Sequence, residues 1–526
     1  MLRIALGVAC VAACAGNEKP NGSDSARGGG HAAGEKTAAG AADTAGASTG
    51  GLSSAGAPDV SGSGGVVAGG AAGSSQGAGA CATTCSEAEE TACKDSQQTV
   101  CVAEANGCKK AHVYSCACFA DGPCLTIDNK QWSGDGNASA NGVAFDSKGN
   151  VYASASSADD LEIPNRLTPH SSVLSKWAPD LSLIWAVQVP PSMSPISRGL
   201  AVDASDNAFM ASVFSSQPGT STNGLDVALS KVDPNGKEIW TRSLGSAMYD
   251  EATELAADAN GNAFMVGFSL AALDVDPALG NADGTLVKWT PDGTPEWVRQ
   301  FGSAETDYAR SVDVDSSGNV YVTGVTEGDF AGTQQGMGDI FVVKYSSSGE
   351  KSWAHQVGGS DTDAGTGIAC DKDAVYVLAV ARSKLDAAAP GPLGETDIVV
   401  IKYDLAGNQL WLKQWGTSKV EGYSKIAVGP GGSIFLAGST QGDIDISPTT
   451  GFIRASDLFV SEWSAAGTPL WAYQWGTSSF DNVLDIDVDK NGRIAVGAGV
   501  QAALPGSTVT SFGSPVVSVI TPSSVK

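Results

Sequence analysis

Five acidic residues recur at one place in the chain. Asp250, Asp307, Asp363, Glu421 and Asp481 each stand five residues after a glycine. Gathered on one surface, such carboxylates could hold a cation, a metal ion or a polar partner. Taken singly, each could cap a turn by accepting backbone N–H bonds. A second acidic pattern is "DVDSSGNVYVTGVT" at 313–326, with a related copy "DVDKNGRIAVGAG" at 487–499. Alternating carboxylates followed by Gly look like a calcium loop. Such a loop needs a bidentate acid at its twelfth position. Counting from Asp313 and Asp487, that position holds Gly324 and Ala498. The stretch therefore reads as a tight turn, in which Gly supplies positive φ and Asp and Asn bond nearby amides. Calcium is the alternative ligand, and no other cofactor is expected.

Other reactive residue types give less. The four histidines, His31, His112, His170 and His355, are too scattered for a His-based metal site. Cys370 stands alone and reads as a small apolar residue, because a nucleophile needs a base and no nearby His is indicated. No catalytic residue and no metal ligand is assigned. With 57 acidic against 31 basic residues the net charge is −26, which disfavours nucleic acid and other anionic partners. Charged residues make up 17% of the chain, so the solvated surface must come largely from Ser, Thr, Asn, Gln and Gly.

The chain opens "MLRIALGVACVAACAGN", one Arg followed by a short apolar run that ends in small residues. This reads as an export signal over 1–14, too short to cross a membrane as a helix. "VAAC" resembles the bacterial lipobox, which implies that Cys14 is acylated and becomes the new N-terminus. Cys10, after "GVA", fits less well, and an ordinary cleaved signal is the alternative. Residues 15–80 are Gly, Ala, Ser and Thr with almost no large apolar side chains. Such a segment cannot offset its ordering entropy, so a flexible tether with a reach of about 45 Å is expected. Eight cysteines then fall within 81–124: Cys81, Cys85, Cys93, Cys101, Cys108, Cys116, Cys118 and Cys124. In an exported chain they imply up to four disulfides in a small module, with about 105 pairings open. A metal site is the weaker alternative, because no paired CxxC motif is present.

These features hang on a scaffold that repeats from 125 onward. Related units begin at Asp146, Asp203, Asp258, Asp315, Asp371, Gly429 and Asp489, at intervals of 55 to 60 residues. Each has four short β-type runs, here called a to d. In the unit at Asp315 they are "RSVDV", "NVYVTG", "DIFVVKY" and a run carrying Trp353. The d runs carry Trp185, Trp240, Trp297, Trp353, Trp411 and Trp471. Sugar-binding platforms are one use for such a column; packing between adjacent units, which needs one flat side chain per unit, is the expected one. Four antiparallel strands at this period predict a β-propeller blade. The seventh unit lacks a run d, and "IDNKQWSG" around Trp132 precedes the first run a. An all-β, seven-bladed propeller closed by its N-terminal strand is therefore expected over 125–526.

The pattern "D..GNVYVTG…D.FV.KY...G...W...GG" resembles the bacterial SBBP β-propeller repeats of exported and cell-surface proteins. The resemblance runs from 125 to the end and implies a propeller and a surface location, with no shared catalytic chemistry. The units at Asp371 and Gly429 depart from it by lacking the "GN" pair. The "G...W" spacing also resembles quinoprotein propellers, but their Thr-Gly-Lys is absent.

In an antiparallel blade the d–a and b–c loops share one face of the ring. The b–c loops are the long, diverse ones, and the five recurrent acids lie in the d–a loops. Scaffolded variable loops are where binding usually resides, so this face, with those five acids, is the expected interaction surface. The expected molecule is an outer-membrane or cell-surface lipoprotein, monomeric, touching the membrane through its lipid only. Its expected role is binding or scaffolding with an envelope protein or polysaccharide, and not with nucleic acid. The alternative is an exported enzyme such as a polysaccharide hydrolase, which needs carboxylates and a base in the central funnel. Only Arg198 and Arg310, placed just before runs a, hint at that.

Overall fold

The computed structural model describes residues 97–103, 109–118, 124–132, 138–156, 172–189, 196–215, 225–273, 279–389, 394–444, 455–504, 507 and 513–523. All fall in one compact unit, Thr83–Lys526. Cys14, the 15–80 segment and the pairing of the eight cysteines lie outside the described residues. So do several of the long b–c loops, among them 157–171 and 445–454.

Seven antiparallel meanders form the ring, six sheets of four strands and one of six. Blade 4 shows the pattern, with strand a Asp307–Val314, b Val320–Thr326, c Asp339–Tyr345 and d Lys351–Val357. The innermost strands a of blades 1 to 7 are Ala140–Phe145, Ile196–Val202, Asp250–Ala257, Asp307–Val314, Asp363–Cys370, Glu421–Val428 and Asp481–Val488. Strands b are buried along their whole length in blades 3, 4 and 6, because each is covered by a blade on either side. That is why runs b and c read as continuous apolar stretches instead of alternating ones. Strand d faces outward and is exposed or half-exposed throughout in blade 4.

The ring closes as the repeat pattern requires. Blade 7 takes strands a and b from Asp481–Val488 and Ile494–Val500, c from Ser514–Ser523, and d from Cys124–Gln131 at the other end of the unit. Strand d pairs antiparallel with c from Cys124↔Ser523 to Gln131↔Val516. Two further strands, Lys109–Cys118 and Gln97–Ala103, continue the same sheet outward. Part of the cysteine-rich segment thus lies on the outer edge of blade 7, where it covers the backbone groups that a terminal strand d would leave open.

The core is divided among the blade interfaces. Buried apolar clusters fill each junction: Phe264, Val266, Val320 and Val322 between blades 3 and 4, for example, and Val143, Val151, Val517 and Val519 between blades 7 and 1. The strand-d tryptophans do the packing expected of them. Trp185, Trp240, Trp297 and Trp353 each donate Nε1–H to a carbonyl in the c–d turn of the next blade, at 3.1, 3.0, 3.3 and 3.3 Å. Their rings lie over Gly236, Gly293, Gly349 and Gly407, where a Cβ would come within 2.8 to 3.0 Å of ring or neighbouring side-chain atoms. These glycines also hold φ between 81° and 92°, so no other residue suits both the turn and the ring above it.

Closure makes blade 7 the place to test cooperativity. Ile127 is buried in strand d of blade 7 and shares a core cluster with Ile520. Ile127→Ala is expected to cost about 2–5 kcal/mol. In urea the whole ring should unfold in one transition with a lower midpoint and an unchanged slope. A separate early transition confined to blade 7 would show that closure is not coupled to the other blades.

Candidate functional site

The strands a line a central channel. Their C-terminal halves enclose a cavity of about 280 Å³, bordered among others by Glu254, Asp313, Cys370, Lys425, Asp485 and Asp487. Three of its carboxylates act as staples between neighbouring strands a. Asp485 and Asp487 accept the amides of Val143 and Phe145 at 2.8 and 2.7 Å, and Asp313 accepts that of Cys370 at 2.7 Å. Burial pushes the Asp313 carboxyl up to about 6 against those hydrogen bonds. Burial, with Asp313 alongside, also raises the Cys370 thiol well above its ordinary value. Cys370 is therefore a thiol, not a thiolate, and a poor nucleophile. Deeper in the same ring Lys425 pairs with Glu254, with Asp485 close by. Burial works against the Lys425 ammonium, yet Glu254 and Asp485 hold its pKa above the usual lysine range. The Asp485 carboxyl is raised well above normal by burial and by Glu254. Two carboxyl groups and a lysine ammonium do meet here, but they are bonded to one another and to backbone amides.

The five recurrent acids open their strands a on the loop-bearing face. All are buried: Asp250 is 1% exposed and Asp307, Asp363, Glu421 and Asp481 are 0% exposed. Each accepts an amide four residues upstream in its d–a loop; for Asp307, Asp363 and Glu421 the donors are Ser303, Gly359 and Thr417, at 2.6, 2.7 and 2.9 Å. The arrangement brings them to equivalent places in five blades but turns each carboxylate inward, onto its own loop. A second acidic column, missed in the sequence, lies beside them. Asp283, Asp339, Asp397 and Asp457 begin strands c, and each accepts the Nε2–H of a buried or half-buried strand-d glutamine at 2.8 to 2.9 Å. Its signal was present as an Asp at the head of run c and a Gln near the end of run d.

The "DSSGN" stretch joins strands a and b in blade 4. Asp315 accepts the amides of Ser317 and Asn319, both at 2.9 Å, and the Asn319 side chain at 2.8 Å. Gly318 sits at φ 78°. Asp146, Asp203, Asp258 and Asp489 do the same in their blades. Against the opposing pull of burial, bonds from Asn319, Tyr321 and Ser317 hold the Asp315 carboxyl below its ordinary value.

The blades differ at the channel mouth. Every strand a carries a bulge there, which re-aims one or two side chains. In blades 1, 3 and 5 the bulge residue is Asn141, Thr253 or Thr366, and it bonds strand a of the next blade, at Ser197, Ala309 and Ser424. In blades 2 and 4 the same place holds Arg198 and Arg310. Both thus lie within strands a, not just before them as the sequence suggested. Arg198 pairs with Glu251 at 2.6 Å, and Glu251 also takes the Tyr249 hydroxyl at 2.5 Å. Tyr249 stacks on Phe268 at 5.7 Å, and Phe268 meets Tyr308 edge-on at 4.5 Å. Arg310 follows two residues later. Among the described residues it has no hydrogen-bond or ion-pair partner. This ridge across blades 2 to 4 is built from columns where the repeats disagree: Tyr249 answers to Thr306, Thr362, Val420 and Phe480 elsewhere. Disagreement between copies was the signal that could have found it.

Residues 296–331 match the SBBP beta-propeller repeat. The matched SBBP segment runs from strand d of blade 3 through Tyr308, Arg310 and the "DSSGN" turn into the b–c loop of blade 4. The chain is also similar to the regulatory protein FlaEY of Caulobacter vibrioides, 27% identical over 206 residues, 36% of this chain and 20% of that protein. An uncharacterized WD repeat-containing protein, L264, of Acanthamoeba polyphaga mimivirus is 22% identical over 257 residues, 38% of this chain and 18% of that one. The matches thus span about a fifth of the length of these relatives. Similar solved structures include a virginiamycin B lyase from Staphylococcus aureus, 10% identical with TM-score 0.42, covering 76% of this chain and 99% of that one. The Pan2 WD40 domain of Neurospora crassa is 10% identical with TM-score 0.41, covering 76% and 98%.

The two kinds of aspartate in the blades give opposite pH responses. Burial pushes Asp481 up to about 6, with Asp457 beside it adding to the rise against the bonds from Thr477. A carboxyl raised in the fold binds its proton more tightly there than in the unfolded chain. Its stabilising share is complete below about pH 3.9 and is lost as pH climbs through about 6. Asp457 Oδ1 has no partner and can receive a proton donor. Asp481→Asn is therefore expected to hold its melting temperature at pH 7.5. It should also lose part of the gain that the native chain shows on going from pH 7 to 5; thermal melts across that range decide it. Asp315→Ala should instead cost about 1–3 kcal/mol at pH 7. That penalty should shrink as pH falls below the ordinary aspartate range, because the Asp315 carboxyl is depressed and its contribution is lost on protonation.

Proposed function

We propose that this protein is a binding or scaffolding module of the cell envelope that works through the loop-bearing mouth of its propeller. The observation that carries the reading is the ridge Arg198, Glu251, Tyr249, Phe268, Tyr308 and Arg310. In a ring of repeated blades, columns that agree hold the fold, and this group breaks the agreement on one face. Half-buried tyrosines beside charged groups at a concave opening are the usual make-up of a recognition site. The buried acids Asp250, Asp307, Asp363, Glu421 and Asp481 serve it by shaping the loops around it.

Export, acylation at Cys14 and the long segment before the propeller complete the proposal: a monomer tethered at the outer membrane or cell surface. Its partner is an envelope protein or polysaccharide, and no cofactor is needed. The exported-enzyme alternative would have to draw on Glu254, Asp485 and Lys425, which are occupied with one another.

The test is retention of envelope proteins and polysaccharides on the immobilised full chain, with and without calcium. Tyr249→Ala with Tyr308→Ala should reduce specific retention at least about tenfold, since buried aromatic anchors carry most of a binding energy. Ile239→Ala, on the exposed strand d of blade 2, should not. Equal retention by all three proteins would place binding elsewhere. Separately, palmitate labelling should be abolished by Cys14→Ser.

A further inference from the structure

We propose that the mouth takes a ligand bearing a single carboxylate on a hydroxyl-rich body, a uronic-acid unit of an oligosaccharide, with Arg310 as the carboxylate's partner. The inference rests on the reading that this face binds, and it names what is bound.

Among the described residues, three side-chain cations reach the inner ring. Two are neutralised within the protein, Arg198 by Glu251 and Lys425 by Glu254. Among the described residues Arg310 is not: its charged or titratable neighbours are Tyr308 and the like-charged Lys425. It is half-buried on a bulge between Ala309 and Ser311, held by channel walls that take away part of its water. A desolvated guanidinium without a counter-charge is unfavourable, and an arriving anion removes that cost. The planar fork of Arg matches a carboxylate with two parallel N–H bonds. Arg198 adds a second unmet donor, because its Nε is buried with no partner among the described residues.

The surroundings limit the ligand further. Glu251, Glu254 and Asp485 stand around the same ring, and the chain carries −26 overall. A densely charged polyanion is repelled there, whereas one isolated negative group meets one isolated positive group. Tyr249 and Tyr308 offer half-buried ring surface on either side of buried Phe268, against which the C–H face of a sugar ring can pack.

The experiment is calorimetric titration of the full chain with a glucuronate-containing tetrasaccharide, with the same tetrasaccharide after carboxyl reduction, and with free glucuronate. The acidic tetrasaccharide is expected to bind at least tenfold more tightly than the reduced one. Arg310→Gln should erase that difference, Arg310→Lys should keep part of it, and Arg242→Gln, on an exposed outer strand, should leave it intact. Melting curves of the variants confirm that they are folded. An unchanged preference in Arg310→Gln, or equal binding of the reduced tetrasaccharide, overturns the proposal. So does binding of free glucuronate with the tetrasaccharide excluded. If Arg310→Gln is silent while the Tyr249→Ala, Tyr308→Ala protein loses binding, the mouth remains the site and only the carboxylate assignment falls.

Discussion

The antiparallel pairing of Cys124–Gln131 with Ser514–Ser523 is the constraint on which the rest of the structure depends. A propeller blade cannot bury itself: its strands b and c are apolar on both faces and need a neighbour on each side. Six of the seven junctions form between blades adjacent in sequence. The seventh joins the two ends of the unit, and only a shared sheet holds them there. Once it forms, Val517 and Val519 of blade 7 pack against Val143 and Val151 of blade 1, and every strand b has two partners. The ring pays for closing a loop of almost the whole unit, a cost that grows only slowly with length.

Closure leaves the axis lined by seven parallel inner strands, whose outer neighbours take one side of their hydrogen bonds and leave the other side open. Asp313, Asp485 and Asp487 answer this by accepting amides of the adjacent strand a. Around the rim Asp307, Asp363 and Glu421 do likewise for the d–a loops. Carboxylates are thus used as backbone acceptors wherever a blade changes direction or meets the axis. This accounts for acids at 0 to 1% exposure in a protein with few charged residues. It also means that much of the acidity is spent on geometry and is not displayed.

The architecture was legible in the sequence because its determinants are local and repeated. Asp-x-x-Gly-Asn at 315–319 states its own turn, "VYVTGVT" states a strand covered on both faces, and the Trp of run d states its partner, the glycine of the next c–d turn. Blade number and closure followed from counting. The acids at 250, 307, 363, 421 and 481 were legible as a column but not in direction. Whether a carboxylate faces water or an amide four residues back depends on loop dihedrals that spacing does not encode. The ridge at the mouth was harder still. Tyr249 and Phe268 belong to blade 3, Tyr308 and Arg310 to blade 4, and Arg198 to blade 2; they meet only because closure sets the radius of the channel.

Agreement and disagreement between repeats carry separate information here. The bulge in strand a recurs in every blade, so its presence belongs to the fold. What it presents does not recur. Where it offers Asn141, Thr253 or Thr366, the side chain is consumed by the next strand, and the ring gains a bond. Where it offers Arg310, the ring gains no bond among the described residues and carries a partly desolvated charge instead. A fold selected only for stability would replace that residue with the threonine its neighbours use. Its place beside Tyr308, on the face where the loops diverge, is the arrangement expected when the partner comes from outside the described residues.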